Sequence, residues 1–231
     1  MILFQHIPKT GGTSLYKQIQ GKLLSIYDDF PMSDNISISE NREKKHKILI
    51  KSKYELVKLY DTIFGHFIAG DYIFLKEITN VDLICFMRQP TERVISNYCM
   101  WKSDWFQNLA DNSPEYSFHK TIHPELDLIM SNKMSLVEFS QTEKNKSVYR
   151  RYLGTCSIED YSFIGITERF NESIEIINKR FGTKFIPLKE NVTYRDSNIL
   201  QEIKKYYNEI EKANEQNYHY YNLALKTFWN K

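Results

Sequence analysis

Apolar residues along this chain follow two rhythms. Met1 to Ile7 is a short apolar run, and Pro8-Lys9-Thr10-Gly11-Gly12 ends it with turn residues. From about Thr13 the apolar positions Leu15, Ile19 and Leu23 recur every four residues, with Lys17, Gln18 and Lys22 between them. That spacing predicts a helix with one stripe on a core and a polar face in water. Asp61 to Phe67 reads as a second strand, ending at Gly65-His66-Phe67. Val81 to Met87 is a better one: Val81, Leu83, Ile84, Cys85, Phe86 and Met87 are nearly continuous, as in a strand covered on both faces at the centre of a parallel sheet. Pro90 at the first helical position and Glu92 in the first turn begin another helix, whose Val94, Ile95 and Tyr98 share a face.

Elsewhere the pattern is weaker. From Asp28 to Lys53 it dissolves into Pro31, Ser33, Asp34 and Asn35 and then a charge run, Glu40 to Lys47, which reads as a mobile polar excursion. Trp101 to Ser131 is aromatic and irregular, with short helical possibilities but no definite assignment, and Leu136 to Phe139 contributes to a helix before Lys144. Phe163 to Ile166 is a short strand. From Glu168 the spacing Phe170, Ile174, Ile177, Phe181 is helical, closed by Gly182 as a C-terminal cap. From about Ser197 onward, Leu200, Ile203, Tyr206, Tyr207, Ile210, Tyr221, Leu225 and Phe228 predict one long amphipathic helix. With no internal repeat and no linker, the expectation is a single domain over residues 1–231. Its class is α/β, a three-layer fold of the P-loop NTPase kind with a central, mainly parallel sheet flanked by helices.

Composition narrows the function classes. The 231 residues are 42% hydrophobic and carry 31 Lys plus Arg against 29 Asp plus Glu, a net charge of +2. This is globular rather than disordered, and too mildly charged for a nucleic-acid protein. Cys85, Cys99 and Cys156 form no CxxC spacing; they read as reduced core thiols, with a Cys85–Cys99 pairing as the lesser alternative. The apolar start runs at once into Gln5, His6 and Lys9, unlike a signal peptide, and no apolar stretch of about 20 residues is present to span a bilayer. A soluble cytoplasmic protein is expected.

The chemistry concentrates in His6-Ile7-Pro8-Lys9-Thr10-Gly11-Gly12-Thr13-Ser14. A glycine pair between strand and helix lets backbone amides gather around an anion at the helix N-terminus, Lys9 adds a point charge, and Thr13 and Ser14 add hydroxyls. It is not a Walker A loop, because the lysine precedes the glycines.

This stretch resembles the 5′-phosphosulfate loop of the sulfotransferases that use 3′-phosphoadenosine 5′-phosphosulfate (PAPS), in particular the group containing heparan sulfate 2-O-sulfotransferase and its bacterial relatives. Phe86-Met87-Arg88-Gln89-Pro90-Thr91-Glu92-Arg93-Val94-Ile95-Ser96-Asn97-Tyr98 is similar to the 3′-phosphate motif of that family. There Arg88, at the end of a strand, and Ser96, on the following helix, would meet one phosphate, for which a guanidinium fork is well suited. The family usually has Asp where this chain has Gln89, and Gln caps a helix poorly. Weaker similarity extends through Asn145 to Gly154 and Phe163 to Glu168.

The resemblance implies a PAPS-dependent sulfotransferase that moves a sulfuryl group to a hydroxyl of a carbohydrate, on a glycan or glycolipid, by in-line displacement and without a metal. His66 would be the catalytic base, although the heparan 2-O enzymes carry a further histidine where this chain has Phe64. Lys9 would stabilise the departing phosphate, Thr10, Gly11, Gly12, Thr13 and Ser14 would hold the 5′ side, and Arg88 and Ser96 the 3′-phosphate. Asn191 to Arg195 falls where relatives close a late loop over the cofactor, making Arg195 a candidate contact. Trp101, Trp105, Phe106 and Tyr116 could stack on sugar rings, though a core role is the better reading, and the basic run Arg42 to Lys53 could attract an anionic glycan, though a solvated face is the better reading. Two alternatives stay open: a nucleotide kinase or other NTPase, which should show a lysine after the glycines and a magnesium-holding Asp, and a non-catalytic module that binds the product adenosine 3′,5′-bisphosphate (PAP).

Overall fold

In the computed structural model, residues 1–23, 25–28, 36–108, 113–187, 195 and 197–229 are described. The predicted strand–turn–helix opening is β1 (Ile2–Gln5) followed by α1 (Gly12–Lys22). Next come β2 (Ser25–Asp28), α2 (Ile36–Lys51), α3 (Lys53–Leu59) and β3 (Thr62–Gly65). After two 3-10 turns, β4 (Asp82–Met87) leads into α4 (Pro90–Trp101). The middle of the chain is a string of short helices: α5 (Asp104–Asn108), α6 (Pro114–Ile122), α7 (Leu126–Met130), α8 (Leu136–Ser140), α9 (Glu143–Lys146) and α10 (Val148–Leu153). The chain then forms β5 (Phe163–Ile166), α11 (Phe170–Phe181), α12 (Ser197–Ala213) and α13 (Glu215–Phe228).

The five strands form one sheet in the order β2-β3-β1-β4-β5, every pair parallel. Alternation along the strands sorts the core. Phe4, Phe64, Ile84, Phe86 and Phe163 face one way, onto Leu15 and Ile19 of α1 and Ile174 and Ile177 of α11. Leu3, Ile63, Leu83, Cys85, Met87 and Ile164 face the other way, onto Tyr149, Tyr152 and Leu153 of α10 and Tyr221 and Ala224 of α13. Helices on both faces of a parallel sheet give the expected three-layer α/β arrangement. From β1 the chain goes outward to β2, whereas from β3 it crosses past β1 to reach β4, so strand order reverses beside β1. In open α/β sheets ligands collect in the crevice at the carboxyl ends of the strands flanking such a point.

Two expectations need correction, and two further stretches gain an assignment. The stretch from Asp28 to Lys53, read as a mobile polar excursion, contains α2; its residues 29–35 lie outside the described ones. The helix carries Glu40, Lys44 and Glu43, Lys47 at supportive i,i+4 spacing, and among its described side chains Leu49 packs against the core and His46 lies edge-on to Phe74, so no clear apolar period betrays it. The edge strand β2 was not anticipated; it is four residues long and pairs only with β3. The single long C-terminal helix is two, α12 and α13, parted at the fully buried Asn214, and α12 itself is kinked at Tyr206. The described residues of 101–131 form the short helices α5 to α7 after the end of α4, in line with the short helical possibilities read there, and Trp101, Phe106 and Tyr116 pack with Leu126, Ile129 and Phe139 in a separate cluster over α4. Those three aromatics are therefore core, and the side chain of Trp105 lies outside the described ones.

Gly182 does cap α11 in the left-handed conformation. All three cysteines are buried free thiols, Cys85 in the sheet core and Cys99 in the cluster over α4, so the Cys85–Cys99 alternative does not form. Among the described residues no helix is long and apolar enough to cross a membrane.

Candidate functional site

The carboxyl ends of β1, β3, β4 and β5 deliver the Lys9 turn, His66, Arg88 and Glu168 to one edge of the sheet, because Gln5 is level with both Gly65 and Cys85 in the parallel register and Met87 is level with Ile166. A fully buried glutamine locks that edge. Gln5 Nε2 donates to the Phe67 and Tyr152 carbonyls at 2.8 and 2.7 Å, and its Oε1 accepts from the Tyr161 hydroxyl at 2.6 Å. Both N–H groups and the oxygen of this one amide thus tie the segment after β3, the last turn of α10 and the segment before β5 to β1.

The turn after β1 is built on two left-handed residues, Lys9 (φ 68°) and Gly11 (φ 91°). For lysine this conformation is strained, and it persists because its surroundings hold it: the Thr10 hydroxyl donates to the Ile7 carbonyl at 2.8 Å, and the Thr10 carbonyl accepts from Thr167 Oγ1 at 2.8 Å. Thr10 is buried, so what remains available to a ligand from it is main chain rather than the hydroxyl proton. Gly11 is the N-cap of α1 and supplies no side-chain cap, and the first turn has no acidic residue, so the amides of Gly12, Thr13 and Ser14 open the helix without a side-chain acceptor at the cap. Thr13 is exposed and Ser14 buried.

Gly12 is glycine for a reason the sequence does not reveal. A Cβ there would come within 2.0 Å of His6 Cδ2, so the His6 ring lies directly on the Gly12 backbone. The same ring stacks on His66, centroids 4.2 Å apart and planes 26° apart. The His6 carbonyl is 2.7 Å from His66 Nδ1. A carbonyl only accepts, so the proton of neutral His66 sits on Nδ1 and Nε2 is the basic nitrogen. Phe64, one of the positions weighed in the sequence, is buried in the core on the α1 side of the sheet.

Arg88 follows β4 directly. Its Nη1 makes a long hydrogen bond to the Lys9 carbonyl at 3.5 Å, which joins the two turns. Its Nη2 lies 3.6 Å from Glu92 and its Nε 4.0 Å from Glu168. Arg195 reaches the same Glu92 carboxylate at 2.5 Å, while residues 191–194 lie outside the described ones. Gln89 caps α4 with no side-chain bond, as its identity suggests; its amide instead donates to the Tyr207 hydroxyl at 3.2 Å. Ser96 is buried on α4, eight positions beyond Arg88.

Positive groups crowd this edge. Burial, and then the Arg88 guanidinium, pull the Lys9 ammonium down to about 8. Burial, His66 and Lys9 hold His6 well below the ordinary imidazole range, so it is neutral. Burial lowers Arg88 as well, and Glu92 and Glu168 oppose that shift. Among the described residues no carboxylate forms an ion pair with Lys9, and none supplies a cluster of three or more His, Cys, Asp or Glu side chains able to hold a metal ion. Two adjacent cations, the N-terminus of α1 and an imidazole on one edge are groups that can take an anion. Glu92, Glu168, Gln5 and Tyr149, which hold this edge together, were not singled out as site residues; each lies far along the chain from at least one of its partners, and only a contact map reveals it.

No family model matches the chain, and no curated protein does. Among solved structures, one that aligns with it is the mouse sulfotransferase SULT7A1 complexed with PAP, at 12% identity and a TM-score of 0.34, covering 88% of this chain and 63% of that one. The chain thus spans less than two thirds of that protein's length, and so loose a likeness does not carry function across.

Proposed function

We propose that this chain is a sulfotransferase that binds PAPS at the β1–β4 crevice and transfers the sulfuryl group to an acceptor hydroxyl, with a sugar hydroxyl as the acceptor class that the motif resemblance favours. The observation that carries the reading is the meeting of the Lys9 turn and Arg88 across a 3.5 Å hydrogen bond, next to an imidazole whose Nδ1 is tied to a carbonyl. The two motifs that resemble the 5′ and 3′ sites of PAPS enzymes are separated by nearly eighty positions and come together at one sheet edge.

The donor set fits such a nucleotide. The half-buried Lys9, whose proton affinity is lowered by burial and by Arg88, gains from any anion placed against it. PAPS, when bound, supplies the sulfuryl group and a phosphate leaving group. Gly12, Thr13 and Ser14 amides and Lys9 would hold the 5′ side, and Arg88, with Ser96 and Arg195, the 3′-phosphate. His66 Nε2 would accept the acceptor's hydroxyl proton while the His6 carbonyl keeps the opposite nitrogen protonated. Positioning and fixed charge would supply most of the rate, as in phosphoryl transfer.

Calorimetric titration tests this: PAP should bind in the micromolar range, more tightly than ATP with Mg²⁺, and Arg88→Ala should weaken it. With an accepting sugar, His66→Ala should lose about 10²- to 10⁴-fold in transfer rate. A preference for ATP with Mg²⁺ would replace this reading with a kinase-like one.

A further inference from the structure

We propose that Tyr149 is the positioning residue that aims Arg88 at its phosphate, so that one buried phenol on α10 sets the selectivity of this site for a 3′-phosphorylated nucleotide. The proposal rests on the reading of Arg88 as a 3′-phosphate ligand.

β4 ends at Met87, so the main-chain groups of Arg88 fall beyond the ladder and must find other partners. Tyr149 supplies both. The Arg88 N–H donates to its hydroxyl at 3.0 Å, and the hydroxyl donates in turn to the Arg88 carbonyl. One side chain, 61 positions away, thereby fixes the backbone of Arg88 and the direction in which its side chain leaves. Glu92 and Glu168 lie near the guanidinium tip; Tyr149 holds the root.

The phenol is itself firmly held. Tyr149 is fully buried, and burial pushes its hydroxyl well above the ordinary tyrosine range, so it stays a donor at any working pH. Its main-chain N–H donates to Asn217 Oδ1 at 3.2 Å. Asn217 Nδ2 donates to the Asn145 carbonyl at 2.6 Å, and Asn145 Oδ1 accepts from the buried Arg93 at 2.8 Å. A buried polar frame from α4, α9 and α13 so determines where the hydroxyl sits. Phenylalanine would fill the same space, which leaves the two bonds to Arg88 as what the hydroxyl contributes among the described residues. The 5′ side depends on the Lys9 turn, which is linked to Tyr149 through the long 3.5 Å bond from Arg88 to the Lys9 carbonyl.

Tyr149→Phe separates these roles. Calorimetry on the full chain with PAP and with AMP, which lacks the 3′-phosphate, should show roughly tenfold weaker PAP binding and AMP binding changed by less than about twofold. In an Arg88→Ala background the same substitution should add nothing, since its effect passes through Arg88. Unchanged PAP affinity, or equal losses for both ligands, overturns the proposal, because a purely structural role would not distinguish them. If Tyr149→Phe does not fold, Asn217→Ala, which unpins the Tyr149 backbone and keeps the hydroxyl, should give a smaller loss of the same selective kind, and an unselective one overturns the proposal. An unmodified protein with no preference for PAP over AMP refutes the PAPS reading itself, and is recognised by appearing before any substitution is made.

Discussion

The imidazole of His6 lies flat on that of His66, and its ring edge occupies the space that a side chain at residue 12 would need. Gly12→Ala should therefore destabilise the protein by about 1–3 kcal/mol, the range for overpacking a closed site. Because the obstacle is a ring and not backbone, the double variant His6→Ala, Gly12→Ala should regain most of that loss. Urea unfolding of the four proteins in the cycle measures it, and additive losses would show that Gly12 is required for another reason.

Lys9 gives a pH dependence with two signs. Its pKa falls from 10.5 to about 8 on folding, so between those values the unfolded chain holds the extra proton and stability rises with pH. Below pH 8 both forms are protonated and the penalty of burying the charge is complete. Lys9→Met should accordingly raise stability at pH 7 by about 1 kcal/mol, the effect fading as pH climbs towards 10.5. Anion binding goes the other way: it needs the charged form, so affinity for PAP should fall as pH rises above 8 in the natural chain and lose that slope in Lys9→Met. Titrations at pH 7, 8 and 9 decide both.

Glu92 holds Arg195 at 2.5 Å and lies 3.6 Å from Arg88, so a single carboxylate neutralises part of the cationic edge. Glu92→Gln keeps the shape and removes the charge, and PAP should bind severalfold more tightly at low salt, with the gain shrinking at high ionic strength. Weaker binding would show instead that orienting the two guanidiniums matters more than their unopposed charge.

Arg93 is a buried cation whose Nη2 donates to Asn145, whose Nε has no hydrogen-bond partner among the described residues, and whose pKa burial pulls down to about 10. Removing its partner should cost more than removing the arginine. Asn145→Leu should destabilise by about 3–5 kcal/mol, whereas Arg93→Met, which fills the space without a charge, should be nearly neutral or stabilising. Denaturation midpoints for the two variants test the order, and the reverse order would mean that the charge is compensated in some other way.

How much was legible in the sequence follows from where each segment buries its side chains. β4 could be read because Leu83 to Met87 are covered on both faces, and α1 and α11 because their buried residues recur at helical spacing. α2 was missed because it is charged nearly all round and shows no clear apolar period. The break at Asn214 is not legible because no Gly or Pro marks it; the Asn214 side chain bonds locally, its amide to the Ile210 carbonyl and its Oδ1 accepting from Asn217.

The candidate site divides in the same way. The Lys9 turn, His66 and Arg88 each stand directly after a strand, and a local pattern of apolar run, glycine or arginine, then helix start is enough to find them. The sequence by itself determined which groups would emerge at the carboxyl ends of strands. The packed fold alone brings His6 onto His66, shares Glu92 between Arg88 and the distant Arg195, and sets Tyr149 at the root of Arg88. Local periodicity reports burial along one element, whereas these pairings depend on strand order and register, which bring residues sixty or more positions apart to hydrogen-bonding distance.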